Sequence, residues 1–187
     1  MVVDPAPPLK DNSKPSYVGV DEKQVRRYCG FYASAKGDLG IRAEQHRNAG
    51  REASVIGEGF RQRGFIEQAI RWHLQDAWHH HSSFDCAKND GEREEAVVGE
   101  VDAWGAVAAC CRAEADGTGS AKEWLVWLQH RCAYYHRALQ AAERPGGGTC
   151  GHEKRQQVLQ DLGTAVLSLR DPLDGSAEED TIRKGCG

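Results

Sequence analysis

No proline occurs between Val18 and Arg144. A proline inside a helix removes a backbone donor and clashes with the preceding turn, so a stretch this long without one is what a succession of helices leaves behind. Pro5, Pro7, Pro8 and Pro15 all fall in the first twenty residues, and the next proline is Pro145. Residues 1–20 therefore read as a disordered N-terminal tail. Strands find no support in between, because the β-branched and aromatic residues are scattered without sustained alternation.

Apolar residues recur at helical spacing instead. Val25, Tyr28, Cys29 and Tyr32 mark a first helix. Ala49, Ala53, Ile56 and Phe60 mark a second, and after Gly64 the series Ile66, Ile70, Leu74 and Ala77 marks a third. The pattern returns with Val97, Val101, Trp104, Ala108 and Cys111, again with Trp124, Leu128, Cys132, Tyr135, Leu139 and Ala142, and once more with Leu159, Leu162, Val166 and Leu169. Asn89-Asp90-Gly91, the run from Asp116 to Ser120 and the run from Pro145 to Gly148 carry turn-forming residues. Short connections make consecutive helices antiparallel neighbours. The expected all-α domain spans 21–170. Asp171-Pro172 is expected to end its last helix, which leaves 171–187 as a weakly ordered C-terminal tail.

Apolar residues make up 40% and charged residues 28% of the 187, enough to build one core under a wet surface. Acidic and basic residues are interspersed and the net charge is only -4, so nothing points to nucleic acid as a direct partner. No apolar run approaches the roughly 18 to 20 residues a membrane span needs, and the first residues lack the apolar stretch of a secretory signal. The expected location is nuclear or cytoplasmic. Seven cysteines, an odd count without recurring spacing, read as small core residues or idle thiols in a reducing compartment.

Internal similarity separates a closed bundle from a repeat array. The segment from Val55 to Gln75 places Gly57, Phe60, Gly64 and Ala69 as small, aromatic, small, small. Closely crossing helices need small residues where backbones approach and large ones in the neighbouring gaps, and Gly64 would close the first helix in a left-handed turn. A second copy carries Trp104 and Ala108, then Tyr135 and Ala138, and a third opens at Gly163. This spacing resembles the tetratricopeptide repeat. The steps from Gly57 to Ala108 and from Ala108 to Gly163 are 51 and 55 residues, against about 34 in that family, so inserts in the loops are expected to supply the excess.

With Ala103-Trp104 opening one repeat, a glycine-rich insert before a helix ending YYHRALQ, and VLQDLGTAVLSL opening another, the chain is similar to the N-terminal tetratricopeptide region of Tonsoku and Tonsoku-like proteins. G-protein signalling modulators and kinesin light chains share such helices. The resemblance implies antiparallel hairpins stacked as a short right-handed solenoid, and a non-enzymatic scaffold that binds a partner protein or peptide. In the Tonsoku family that role belongs to nuclear replication-fork repair. The ankyrin and leucine-rich regions of those proteins have no counterpart here. His73, Asp76 and Arg131 depart from the repeat, standing where an aromatic, an alanine and a small residue are usual.

Repeat geometry lines the concave groove with the first helix of each hairpin. Counting from the equivalent small positions selects Arg51, Ser54, Glu58 and Arg61, then Asp102, Gly105, Ala109 and Arg112, then Gln157, Gln160, Thr164 and Leu167. Such a polar lining with arginines suits an acidic or carboxylate-bearing peptide held by charge-assisted hydrogen bonds. An uncovered apolar end after the third, incomplete copy would favour self-association.

The alternative to a scaffold is a helical metal protein or enzyme using His73, His79, His80 and Cys86. Consecutive histidines splay by about 100° around a helix, and no zinc motif accompanies them. The simpler expectation is that His79, His80 and His81 form a solvated helix end, with no metal and no cofactor. Cys110 and Cys111 point apart on one helix, with Cys111 in the core and Cys110 lining it. The tryptophans are core contacts by default, and Trp78, off the apolar face, is placed at a hairpin junction or binding surface. No nucleophile, base and orienting group assemble from spacing, and no catalytic residue is assigned.

Overall fold

A computed structural model describes residues 22–34, 39–146 and 148–184, with side chains at 23–30, 39–146 and 148–168. The tail assigned to residues 1–20 lies outside the described residues. Among those described there are six helices and no strand: α1 Glu22–Ser34, α2 Leu39–Gln62, α3 Ile66–Cys86, α4 Asp90–Gly117, α5 Ala121–Ala142 and α6 Gly148–Lys184.

Local chemistry sets the boundaries. Gly64 adopts φ +79°, the left-handed conformation that glycine takes at little cost. The Phe65 N–H then bonds the Phe60 carbonyl at 3.0 Å and the Gly64 N–H bonds that of Arg61 at 3.0 Å. These two bonds and the edge-to-face contact of Phe60 with Phe65, centroids 6.3 Å apart, make a Schellman motif with its apolar clasp. Asn89 caps α4, its side chain accepting from the Glu92 N–H at 2.9 Å, while the Glu92 carboxylate accepts from the Lys88 N–H at 2.9 Å. Ser120 caps α5 through the Glu123 N–H at 3.4 Å.

Each helix packs on its neighbour in sequence, and α4 also touches both α2 and α6, whereas α3 and α5 do not approach each other. One apolar core joins Val25, Tyr28, Ala53, Ile56, Phe60, Ala69, Trp72 and Cys110 across α1 to α4. The second joins Ala77, Val97, Val101, Trp104, Ala108, Cys111, Tyr135, Ala138, Val158 and Ala165 across α3 to α6. Adjacent Cys110 and Cys111 thus enter different cores. Both are fully buried, so Cys110 is a core residue and not a lining one. Burial pushes their thiols up to about 11 and about 12, out of the range of reactive cysteines.

Other expectations need correction as well. The 51 residues from Gly57 to Ala108 are taken up by long helices and not by inserted loops: α2 and α4 have 24 and 28 residues, and the connections at 63–65, 87–89 and 118–120 are short. Asn89 to Gly91 and Asp116-Gly117 are helix ends, which use the same residue types as turns. Gly163 is exposed, and a Cβ there would meet nothing within 4 Å. The buried face of α6 runs through Gly151, Val158 and Ala165, and Gly163 is turned away from it. Nor does Asp171-Pro172 stop α6, whose backbone stays helical to Lys184. A proline takes one hydrogen bond from a helix at about 3 kcal/mol, and Leu173, Ala177, Glu178 and Glu179 beyond it favour the helical state. The tail assigned to 171–187 is helical over its described part.

Candidate functional site

The middle helix of the first three long ones carries a polar face. His73, Asp76 and His80 stand at helical spacing on α3, and all three are buried. Glycines on the flanking helices make room for the rings. A Cβ on Gly57 of α2 would lie 2.9 Å from the His73 imidazole, one on Gly50 of α2 would lie 2.8 Å from His80 Nε2, and one on Gly99 of α4 would lie 2.3 Å from the His80 ring. Gly57 thus does mark a close crossing, but the space its missing side chain leaves is filled by an imidazole. The departure of His73 from the repeat pattern is matched by its partner glycine.

His79, His80 and His81 do not form a solvated helix end. α3 continues to Cys86, so the three rings leave it mid-helix at about 100° intervals and enter three environments. His79 is completely buried. Tyr28 of α1 lies with its hydroxyl 3.2 Å from Gln75 Oε1 and 3.0 Å from His79 Nε2, and His79 Nδ1 is 3.0 Å from His46 Nδ1 of α2. The Tyr28 O–H has one proton to donate, and Gln75 accepts it. His79 Nε2–H then donates to Tyr28, which leaves Nδ1 bare to accept from His46 Nδ1–H. One of the two facing Nδ1 atoms must be bare, so the two imidazoles cannot both be protonated. Burial, and then the neighbouring His46 and His80, push His79 down to about 3, and burial followed by Arg42 lowers His46.

His81 turns toward Glu100, a buried carboxylate of α4 held by both guanidinium nitrogens of Arg144 at 2.7 and 3.0 Å. Arg144 also lies over the Phe84 ring, 4.7 Å from its centroid. His81 Nδ1 is 3.3 Å from Glu100 and 3.0 Å from an Arg144 nitrogen. A single nitrogen cannot donate to the first and accept from the second. The hydrogen bond to Glu100 raises the His81 pKa, which favours the protonated ring donating to the carboxylate.

His73, His79, His80 and Cys86 therefore do not converge. No group of three or more histidine, cysteine, aspartate or glutamate side chains placed to hold a metal occurs among the described residues. Trp78 is half-buried, edge-on to His46 with centroids 5.6 Å apart.

Where α2 and α4 diverge above α3, an open cavity of about 610 Å³ forms. Arg51 and Ser54 of α2 and Asp102 of α4, three of the expected groove residues, line it, together with Asp76 and His80 of α3 and Gly91, Glu94, Glu95, Val98, Gly99 and Cys150. Asp102 is paired with Lys154 of α6. The remaining expected residues lie elsewhere. Glu58 and Arg61 form a two-bonded pair at 2.7 Å on α2, and Arg112 pairs with Asp116 at 2.8 Å on α4. Gln157 bonds Asp161 at 3.1 Å on the exposed side of α6, where Thr164 bonds back to the Gln160 carbonyl at 3.0 Å and Leu167 is exposed. Gly105 and Ala109 are outside the lining as well.

Asp76, His80, Glu94, Glu95 and Cys150 escaped the sequence reading as cleft residues. Glu94 and Glu95 stand near the start of α4, where the helix dipole alone favours acidic side chains, and Cys150 comes from α6. The available signal was the pair Gly50 and Gly99, each opposite the polar face of α3. Burial raises the Asp76 pKa against the opposing pull of His80 and Ser54, whereas Glu94 is lowered by the Cys150 N–H, which donates to it at 2.9 Å.

No protein-family model, curated protein or solved structure matches the chain. No helix among the described residues is long and apolar enough to cross a membrane.

Proposed function

We propose that the chain is a non-enzymatic scaffold that holds a segment of a partner protein in the cleft between α2 and α4, with α3 as its floor. One observation carries the reading: the cavity is lined from the first helices of two successive hairpins by Arg51, Ser54 and Asp102, as a stacked-hairpin receptor requires. The packing order, in which α4 bridges α2 and α6 while α3 and α5 stay apart, supports a tetratricopeptide-like stack, right-handed as in that family. The Tonsoku-like role in replication-fork repair is the finer form of the same proposal. Its support is the motif residues Gly57, Phe60, Gly64, Ala69, Trp104 and Tyr135.

Ser54→Trp fills the cleft from its wall while leaving both apolar cores untouched. Affinity capture with the wild type, followed by hydrogen exchange on the recovered complex, should show protection around residues 51–54 and 94–102. The Ser54→Trp variant should lose that partner while keeping its helical content and a cooperative unfolding transition. Equal recovery by a folded variant, with protection elsewhere, would remove the cleft as the binding site.

A further inference from the structure

Four carboxylates and one guanidinium line the cleft. Two of the carboxylates are answered from behind, Asp102 by Lys154 and Glu95 by Arg47 at 3.2 Å. The guanidinium of Arg51 leans on Asn48 at 3.5 Å. Asp76 and Glu94 have no such cation against them in the described pairs, and they sit at different depths.

Asp76 is at the bottom, 3% exposed. The Ser54 hydroxyl reaches its carboxylate, but Oδ1 has no hydrogen-bond partner among the described residues. His80 Nε2 lies 3.2 Å away, off the line a hydrogen bond needs. The ring is fixed in that pose by Gly50 on one side and Gly99 on the other, and its own Nδ1 also lacks a partner. A buried carboxylate oxygen without a donor is costly unless something supplies one. The rigid Gly–His–Gly wedge stops the neighbouring imidazole from doing so.

We propose that the cleft receives a cationic side chain, lysine or arginine, from a basic segment of a partner protein, with Asp76 receiving the charged head and Glu94 holding it at the rim. This rests on the scaffold reading and gives it a ligand chemistry opposite to the acidic peptide expected from the arginines. Arg61 and Arg112, on which that expectation leaned, are already neutralised within their own helices. Charged donors form the strongest hydrogen bonds to carboxylates, and in a site walled by helices such a bond gains from the low local dielectric. The cavity exceeds the room one side chain needs, so flanking residues of the segment lie along α2 and α4. Cys150 opens onto the same space and is exposed.

A random-peptide display library panned on the intact chain tests this. The selected peptides should be rich in lysine or arginine. As synthetic peptides they should slow alkylation of Cys150 but not of Cys29. Asp76→Asn and Glu94→Gln should each weaken them by at least about tenfold, while Arg61→Gln, outside the cleft, should leave them unchanged. Glu94→Gln changes a rim residue, so it remains informative if Asp76→Asn fails to fold. Acidic or apolar peptides that protect Cys150 would overturn the cationic proposal and leave the scaffold reading standing. Basic peptides indifferent to a folded Asp76→Asn and to Glu94→Gln would overturn it too. Failure to select any peptide that protects Cys150 would sink the scaffold reading itself.

Discussion

His73 is buried with neither ring nitrogen hydrogen-bonded, and burial takes it down to about 4. Between that value and its unfolded pKa of 6.5 the unfolded chain binds the extra proton, so stability is complete above 6.5 and falls as the pH drops toward about 4. His79, at about 3, adds to the loss over the same window. Urea unfolding should therefore show a lower midpoint at pH 5 than at pH 7.5. His73→Phe keeps an aromatic ring against Gly57 and should flatten the slope by about 1.4 kcal/mol per pH unit. An unchanged slope in that variant would mean His73 titrates normally in the fold. The glycine wedges make a second prediction. Gly99→Ala should cost about 1 to 3 kcal/mol by overpacking the His80 ring. In a His80→Ala background the same change should be neutral or stabilising, since alanine exceeds glycine by about 1 kcal/mol in helix propensity. Equal costs in both backgrounds, measured by thermal unfolding, would contradict the pairing.

At the level of helices, the Glu100–Arg144 pair ties the end of α5 to α4 and, through His81 and Phe84, to α3. Arg144→Met should cost about 3 to 5 kcal/mol, because it strands a buried carboxylate. Glu100→Met in the same chain should recover most of that loss, since two apolar groups replace the pair without leaving a charge behind. A small effect of Arg144→Met alone would show that Glu100 finds water or another donor. Connections were readable where one residue decides the geometry: the left-handed turn at Gly64 could be anticipated because only glycine takes it cheaply. The direction of Gly163 was not readable, because one residue of offset turns a side chain by about 100°, and counting steps between repeats does not fix that phase.

For the molecule as a whole, Val126 of α5 and Leu159, Val166 and Leu167 of α6 are exposed, which leaves apolar surface at the last hairpin. The proposed stack needs a polar outer face at each end to stay apart from other copies, so light scattering should rise with concentration, and Val166→Glu with Leu167→Glu should suppress the rise. A concentration-independent monomer would show that the end is covered within the chain. That the chain is a run of five or six helices, their order and most of their apolar faces followed from the sequence, because the missing prolines, the 3.6-residue period and the turn residues are local signals that act wherever the helices end up. What lies opposite each face was decided only in three dimensions. His79 meets Tyr28 across 51 residues, Glu100 meets Arg144 across 44, and Asp76 opens into a cleft shared by α2, α4 and α6. A histidine looks the same in sequence whether water, a glycine or a carboxylate faces it, and only the packing of distant helices determines which of these it meets.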